Sequence, residues 1–225
     1  MKTYLSLTIL IIAFILSSNS VTAQPSGQIK LDGDTWNYIK VAVYHVDELN
    51  SFKFKKPFSY MDESTFDVQS FGFELGTNTP FVDFISVYYL SGENPNFNPN
   101  YFNNEPFSEN AFVESINSYG IALEQAAFPL LKDESGWKFF INSSGTLGIS
   151  NYSGILRRDS AKNAEVENFT ESSLEFSGRL SAVGDFAFGS TKFRLFYAPI
   201  TLRFGYGRYS FSAATFGASL LVKVK

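Results

Sequence analysis

His45 is the chain's only histidine. A lone imidazole titrates near neutral pH and can act as a general base when a nucleophile and an orienting acid come to it. Val46 and Asp47 follow it, so no His-x-Ser arrangement accompanies it, and a structural place at a strand end is expected. One histidine excludes any site that needs two. The absence of cysteine excludes disulfides, Cys-based zinc sites, thiol catalysis and a lipid on an N-terminal Cys. Asp62-Glu63 and Asp133-Glu134 offer oxygen ligands for calcium, but no spaced acidic loop goes with them, and solvated turns are expected. Asn142-Ser143-Ser144, Asn151-Tyr152-Ser153 and Asn168-Phe169-Thr170 match the glycosylation acceptor pattern, which chance supplies in a chain this rich in Asn and Ser. Gly205-Tyr206-Gly207 lacks the lysine and following helix of a phosphate loop. The net charge of −4, without a basic stripe, excludes a nucleic-acid partner. The expectation is a chain without catalytic residues, metal or cofactor, and not an enzyme.

The elements that carry these residues are built from an unusual composition. Charged residues make up 18%, against roughly 25% in ordinary soluble domains. Aromatics reach 17%, with 25 Phe and 12 Tyr, which excludes intrinsic disorder. At the amino end Lys2, the apolar run Leu5–Leu16, the polar break Ser17–Ser20 and Val21-Thr22-Ala23 have the three parts of a secretory signal. The apolar run is too short to span a bilayer as a helix. Residues 1–23 are therefore read as a signal peptide and 24–225 as a single domain.

Alternation at period two dominates that domain, the mark of strands with two unlike faces. From Ser173 to Ala182, Leu174, Phe176, Gly178, Leu180 and Ala182 oppose Ser173, Glu175, Ser177, Arg179 and Ser181. The phase slips at Ala198-Pro199, where a proline inside a strand implies a bulge or an edge. Eight strands are expected, near 36–46, 65–75, 80–90, 117–128, 137–151, 171–183, 187–204 and 208–225. The connections between them alternate long and short through the sixth, which is read as a tight turn at Gly184-Asp185; the seventh is short. The Asn- and Pro-rich stretch Asn94–Asn104 reads as loop. One rival element is a short helix near 108–127, because Phe112, Ile116, Tyr119, Leu123, Ala126 and Leu130 also fall at helical spacing behind Ser108. The fold class is all-β, an antiparallel up-and-down β-barrel of about eight strands.

Such a barrel has two polarities. In a soluble barrel the apolar faces point inward and enclose an apolar ligand; in a membrane barrel they meet lipid and the charges fill the lumen. Strand length, aromatics toward strand ends (Trp36, Tyr44, Tyr88, Tyr89, Trp137, Tyr197, Tyr206, Tyr209) and polar faces that mix charge with Gly, Ala and Ser favour the membrane polarity. Lys40, Glu74, Glu124, Lys138, Glu175, Arg179, Arg194 and Arg203 then face the lumen and must pair there.

On these patterns the chain resembles the small eight-stranded outer-membrane barrels of Gram-negative bacteria, especially the Bacteroidota type. The resemblance implies periplasmic termini, lipid-facing strands and loops exposed to the outside. Barrels of this class usually close on an aromatic residue, whereas this chain closes on Leu220-Leu221-Val222-Lys223-Val224-Lys225. The expected partners are outer-membrane lipid and an extracellular ligand at the long loops, with the chain a monomer. The expected location is the outer membrane, with a periplasmic or secreted barrel as the alternative. A lipid-modifying enzyme using His45 is the second alternative.

Overall fold

In the computed structural model the described residues are 38–52, 64–79, 81–97, 110–132, 137–159, 164–205 and 208–224. They form eight strands and contain no helix: β1 (Tyr38–Phe52), β2 (Ser64–Thr77), β3 (Phe84–Glu93), β4 (Asn110–Lys132), β5 (Lys138–Asp159), β6 (Ala164–Phe188), β7 (Thr191–Gly205) and β8 (Arg208–Lys223). Each pairs antiparallel with its neighbour in sequence, and β8 closes on β1. Closure gives the backbone groups of the ladder partners on both sides and removes the free edges of an open sheet. The register can be followed once around. Ile39 leads through Thr77, Ile85, Leu123, Gly145, Gly178, Leu202 and Phe211 to Leu49, ten residues farther along β1. A stagger of this size requires tilted strands, by about 35–45° in barrels generally.

The alternation decides which side chains enter the lumen, and the direction of closure decides the polarity. Leu174, Phe176 and Leu180 point outward at 55%, 43% and 51% exposure, while Glu175 on the same strand is 2% exposed. Ile39, Val43, Phe71, Phe73, Leu75, Ile121, Leu123, Leu195, Leu202 and Leu220 are likewise outward. The apolar faces thus point outward and the charged faces inward. Ala198-Pro199 is a bulge as expected: β6 and β7 shift register between Leu180 and Ala182, and Pro199 and Ile200 both face out.

Several elements differ from the sequence expectation. The helix near 108–127 is strand β4, whose backbone pairs with β3 and β5. Tyr119 and Leu123 face out and Ile116 faces in, so the helical spacing is accidental; Ser108 lies outside the described residues. The tight turn is Gly189-Ser190, with Gly189 at φ 62°, a left-handed conformation that glycine adopts without a Cβ clash. Gly184-Asp185 is strand, paired with Phe139 and Lys138. The expected long connection over 152–170 is mostly ladder, since β5 and β6 remain paired out to Asp159 and Ala164. Only the first and third connections are long. β6 pairs with β7 only from Glu175 onward, so the upper β5–β6 hairpin rises above that side of the barrel. Trp36, Tyr206, Asp62-Glu63 and Asp133-Glu134 lie outside the described residues, as does Asn94–Asn104 beyond Phe97. At Asn94 the chain turns on an Asx bond, with the Asn96 N–H donating to its Oδ1 at 2.9 Å.

Space inside so narrow a barrel comes from missing side chains. Tyr44 lies between Gly72 on β2 and Gly217 on β8, and a Cβ at Gly72 would overlap the Tyr44 ring. Gly72→Ala is expected to lower stability by about 1–3 kcal/mol, as overpacking of a closed core does. The midpoint of the heat-modifiable gel shift in detergent measures it.

Candidate functional site

The lumen is stacked in tiers. At the end with the short turns, Tyr38, Phe84 and Leu221 form an apolar plug. Above it lies a chain of alternating charges. The Arg194 guanidinium grips Asp185 with two bonds, Nε to Oδ1 at 2.7 Å and Nη2 to Oδ2 at 2.9 Å. It also reaches Glu124 at 3.3 Å. Glu124 pairs with Lys40, Lys40 with Glu74 at 2.5 Å, and Glu74 with Arg179 at 3.8 Å. Three bases and three acids alternate, so each charge leaves water in the company of its opposite. The Phe84 and Phe140 rings flank Arg194 at 5.3 and 5.2 Å, a geometry that adds cation–π attraction.

A middle tier of Tyr44, Val46 and Leu90, packed with Phe196, separates this chain from a second group of charges. A gap of about 20 Å³ passes through this tier beside Tyr44 and Tyr88, bordered by Glu74 and Arg179 on one side and Arg203 on the other, room for about one water molecule. Above it Arg203 faces Glu48 at 2.9 Å and Glu175 at 3.8 Å. Ser150 donates to Glu175 at 2.5 Å, and the Tyr152 hydroxyl donates to its other oxygen. Val68, Val113, Ile116, Tyr152 and Phe169 cap the outer end. The gap in the middle tier is far smaller than the apolar cavity that a soluble ligand-binding barrel would carry.

Of the eight charges expected in the lumen, Lys40, Glu74, Glu124, Glu175, Arg194 and Arg203 are buried, and Arg179 and Lys138 are half-buried. Sequence reasoning missed Glu48 and Asp185. Both lie on the inward phase of strands that run farther than expected. Continuing the even phase of Tyr38–Val46 by two residues reaches Glu48, and continuing the odd phase of Ser173–Val183 reaches Asp185. Tyr44 and Tyr88, assigned to the outer aromatics, are buried in the lumen; Tyr89, Trp137 and Tyr197 are exposed on the outside. Asn142 of the first acceptor-like motif is buried and donates to Glu124 at 3.3 Å, so it is not open to glycosylation.

His45 stands on the outer face between Phe71 and Phe216, with ring centroids at 4.8 and 5.2 Å, and its Nε2 meets Asp47 Oδ1 at 3.0 Å. On the outer face Phe73, Tyr89, Tyr119, Ile149 and Leu174 make one cross-strand row. The next outward row on β3–β6 is polar: Ser91, Asn117, Asn151 and Ser172. The upper limit of the apolar band therefore falls between two adjacent rows.

No protein-family model and no curated protein matches the chain. Among solved structures it is similar to the neisserial surface protein A, at 11% identity and a TM-score of 0.43, over 83% of this chain and 97% of that one. It is similar to Ail, the attachment invasion locus protein of Yersinia pestis, at 9% identity and a TM-score of 0.36, over 83% and 99%. The N-terminal β-barrel domain of Pseudomonas aeruginosa OprF gives 10% identity and a TM-score of 0.33, over 87% and 98%.

Two predictions follow from this geometry. Glu175→Leu removes the acceptor of Tyr152 and Ser150 and one counter-charge of Arg203. It should lower stability in detergent by about 3–5 kcal/mol, the usual effect of breaking a buried pair; an unchanged melting temperature would show that the upper charges do not stabilise the barrel. Asp83, in the turn before β3, is pushed up to about 6 by burial, against the N–H of Ala126 that bonds its carboxylate at 2.5 Å. Its folded value lies above the ordinary carboxyl value, so the folded state binds the proton more tightly between about pH 4 and 6. Stability from this group is present at low pH and is lost as pH rises through about 6. Asp83→Asn should flatten the melting temperature between pH 5 and pH 7 relative to the parent chain.

Proposed function

We propose that the chain is an integral outer-membrane β-barrel with a packed lumen, acting as a structural element or in surface recognition at its outer end. The observation that carries this reading is the inverted polarity: outward strand positions are apolar while ion pairs fill the inside. Exposed apolar side chains around a closed sheet are costly in water and favourable against hydrocarbon. A closed ladder also meets the rule that backbone groups in a bilayer find partners within the protein. The outward apolar positions of β4 extend from Tyr119 to Leu130 and those of β5 from Phe139 to Ile149, long enough for a tilted strand to cross. Barrels of this kind belong to outer membranes, and the signal-like amino end fits export. The long first and third connections and the raised β5–β6 hairpin share the outer end, which supports a recognition role there.

The reading excludes steady solute flow, because two apolar tiers close the lumen around the charged ones. It also assigns no catalysis to the chain. The described partners of His45 are a carboxylate and two phenylalanine rings, with no hydroxyl among them.

Carbonate extraction tests the location: the chain is expected to stay with the outer-membrane pellet, and release with periplasmic contents would sink the proposal. In planar bilayers the inserted protein is expected to show no steady conductance. A persistent open channel would contradict the packed lumen. His45→Ala should leave lipid composition and any lipid-hydrolysing activity of purified protein unchanged; a loss of activity would restore the enzymatic alternative.

A further inference from the structure

The polar row above the apolar band contains an array of unused hydrogen-bond donors. Asn117 Oδ1 accepts two hydroxyls, from Tyr89 at 2.9 Å and from Ser91 at 2.9 Å. Asn151 Oδ1 accepts the Ser172 hydroxyl at 2.6 Å. With both carbonyl oxygens engaged, the two side-chain amides have only their N–H₂ groups left to offer, and these meet no acceptor among the described residues. Asn117 and Asn151 are direct cross-strand partners, so the two amides stand side by side. The row above continues with hydroxyls, Ser115 bonded to Ser153 at 2.7 Å and Thr170 opposite Ser153. The row below presents the half-exposed rings of Tyr89 and Tyr119.

Charge narrows what could sit there. In the Asn117 row the places on β2 and β1 are held by Phe71 and His45, and one row higher Asp47, Gln69 and Glu93 run into Ser115. The paired residues Ser115, Asn117, Asn151, Ser153, Thr170 and Ser172 are uncharged, with the exposed acid Glu114 beside Ser115 at the β4 bulge, and no lysine or arginine with a described side chain lies among them. A phosphate would find neutral donors beside acidic neighbours, with no counter-charge among these paired residues. A sugar needs none: its hydroxyls accept from amides, and its apolar ring face packs on an aromatic ring.

We infer that Asn117 and Asn151, over the Tyr89–Tyr119 rings, form a site on the outside of the barrel for the neutral sugar headgroup of a glycolipid. This site rests on the membrane reading, since it places the row at headgroup height.

The test uses the full chain in liposomes and then in detergent micelles with added lipid, followed by native mass spectrometry. The probes are a lipid bearing a neutral trisaccharide headgroup, phosphatidylcholine and phosphatidylglycerol. The parent chain is expected to retain the glycolipid about five- to ten-fold more often than either phospholipid, the worth of one or two net hydrogen bonds. Asn117→Leu/Asn151→Leu should fall to the phospholipid level, and Gln69→Leu, on the acidic side, should not. Equal retention by the double variant, or equal retention of phosphatidylglycerol by the parent, would overturn the sugar site and leave the membrane reading standing. A chain that stays out of liposomes would overturn the membrane reading, and this site with it. The heat-modifiable gel shift reports whether each variant is folded, and Asn117→Gln/Asn151→Gln, which keeps the amides, should retain more glycolipid than the leucine pair. Equal loss in both pairs would also overturn the assignment.

Discussion

A charge removed from water must meet its opposite, and the barrel satisfies this demand in its narrow interior. Lys40 is the clearest case. It is 1% exposed and lies between Glu74 and Glu124, which come from β2 and β4. Its ammonium therefore ties together strands that do not neighbour one another in the sheet. Arg194 does the same for β4, β6 and β7, and Arg203 for β1, β6 and β7. Hydrophobic residues could fill the lumen too, and in many proteins replacing buried pairs with them costs nothing in stability. What alternating charge adds is position: a strand displaced by two residues would keep its faces but lose its counter-charges. The apolar exterior depends on this, because the inward phase of each strand dictates the outward one.

How much of this was legible follows from how strongly each position commits to a face. Between Ser173 and Ala182 nearly every residue suits one environment only, and both faces were readable there. Tyrosine suits two environments, which is why Tyr44 and Tyr88 were misassigned: the ring fills the lumen while the hydroxyl finds polar neighbours. At Tyr44 the space comes from its cross-strand partners Gly72 and Gly217, a pairing that appears only once the strands are in register. Strand ends were underestimated for a different reason. Above the apolar band the outward residues become Asn, Ser and Thr, so the alternation that reveals a strand loses contrast while the ladder continues. Gly184-Asp185 looked like a turn because that pair of residues favours turns. In the barrel Asp185 is the cross-strand partner of Arg194 on the inner face. Alternation is equally consistent with both polarities; strand length and aromatic placement favoured one of them, and the direction of closure fixed it.

The outer surface shows the same change of environment from the other side. Outward positions pass from aromatic and aliphatic residues to amides and hydroxyls within one step of the register on β3–β6. On β1 and β2 the matching places hold His45 and Phe71, and acids enter one row higher with Asp47 and Glu93. A barrel with such a rim is not equivalent around its circumference, although its ladder is.

The seam between β1 and β8 has a kinetic consequence. It pairs Tyr38 with Lys223 and Ile39 with Val222, near the two ends of the described chain. The β6–β7 hairpin, by contrast, closes over two residues. Local hairpins form quickly, whereas joining distant segments carries the full loss of chain entropy before any reward arrives. Lys40 sits on the seam strand, so its pairs with Glu74 and Glu124 take their final form only when β1 is seated. Closure is thus the step at which an open, charge-exposing sheet becomes a sealed one. Partly assembled molecules should accumulate just before it rather than earlier along the chain.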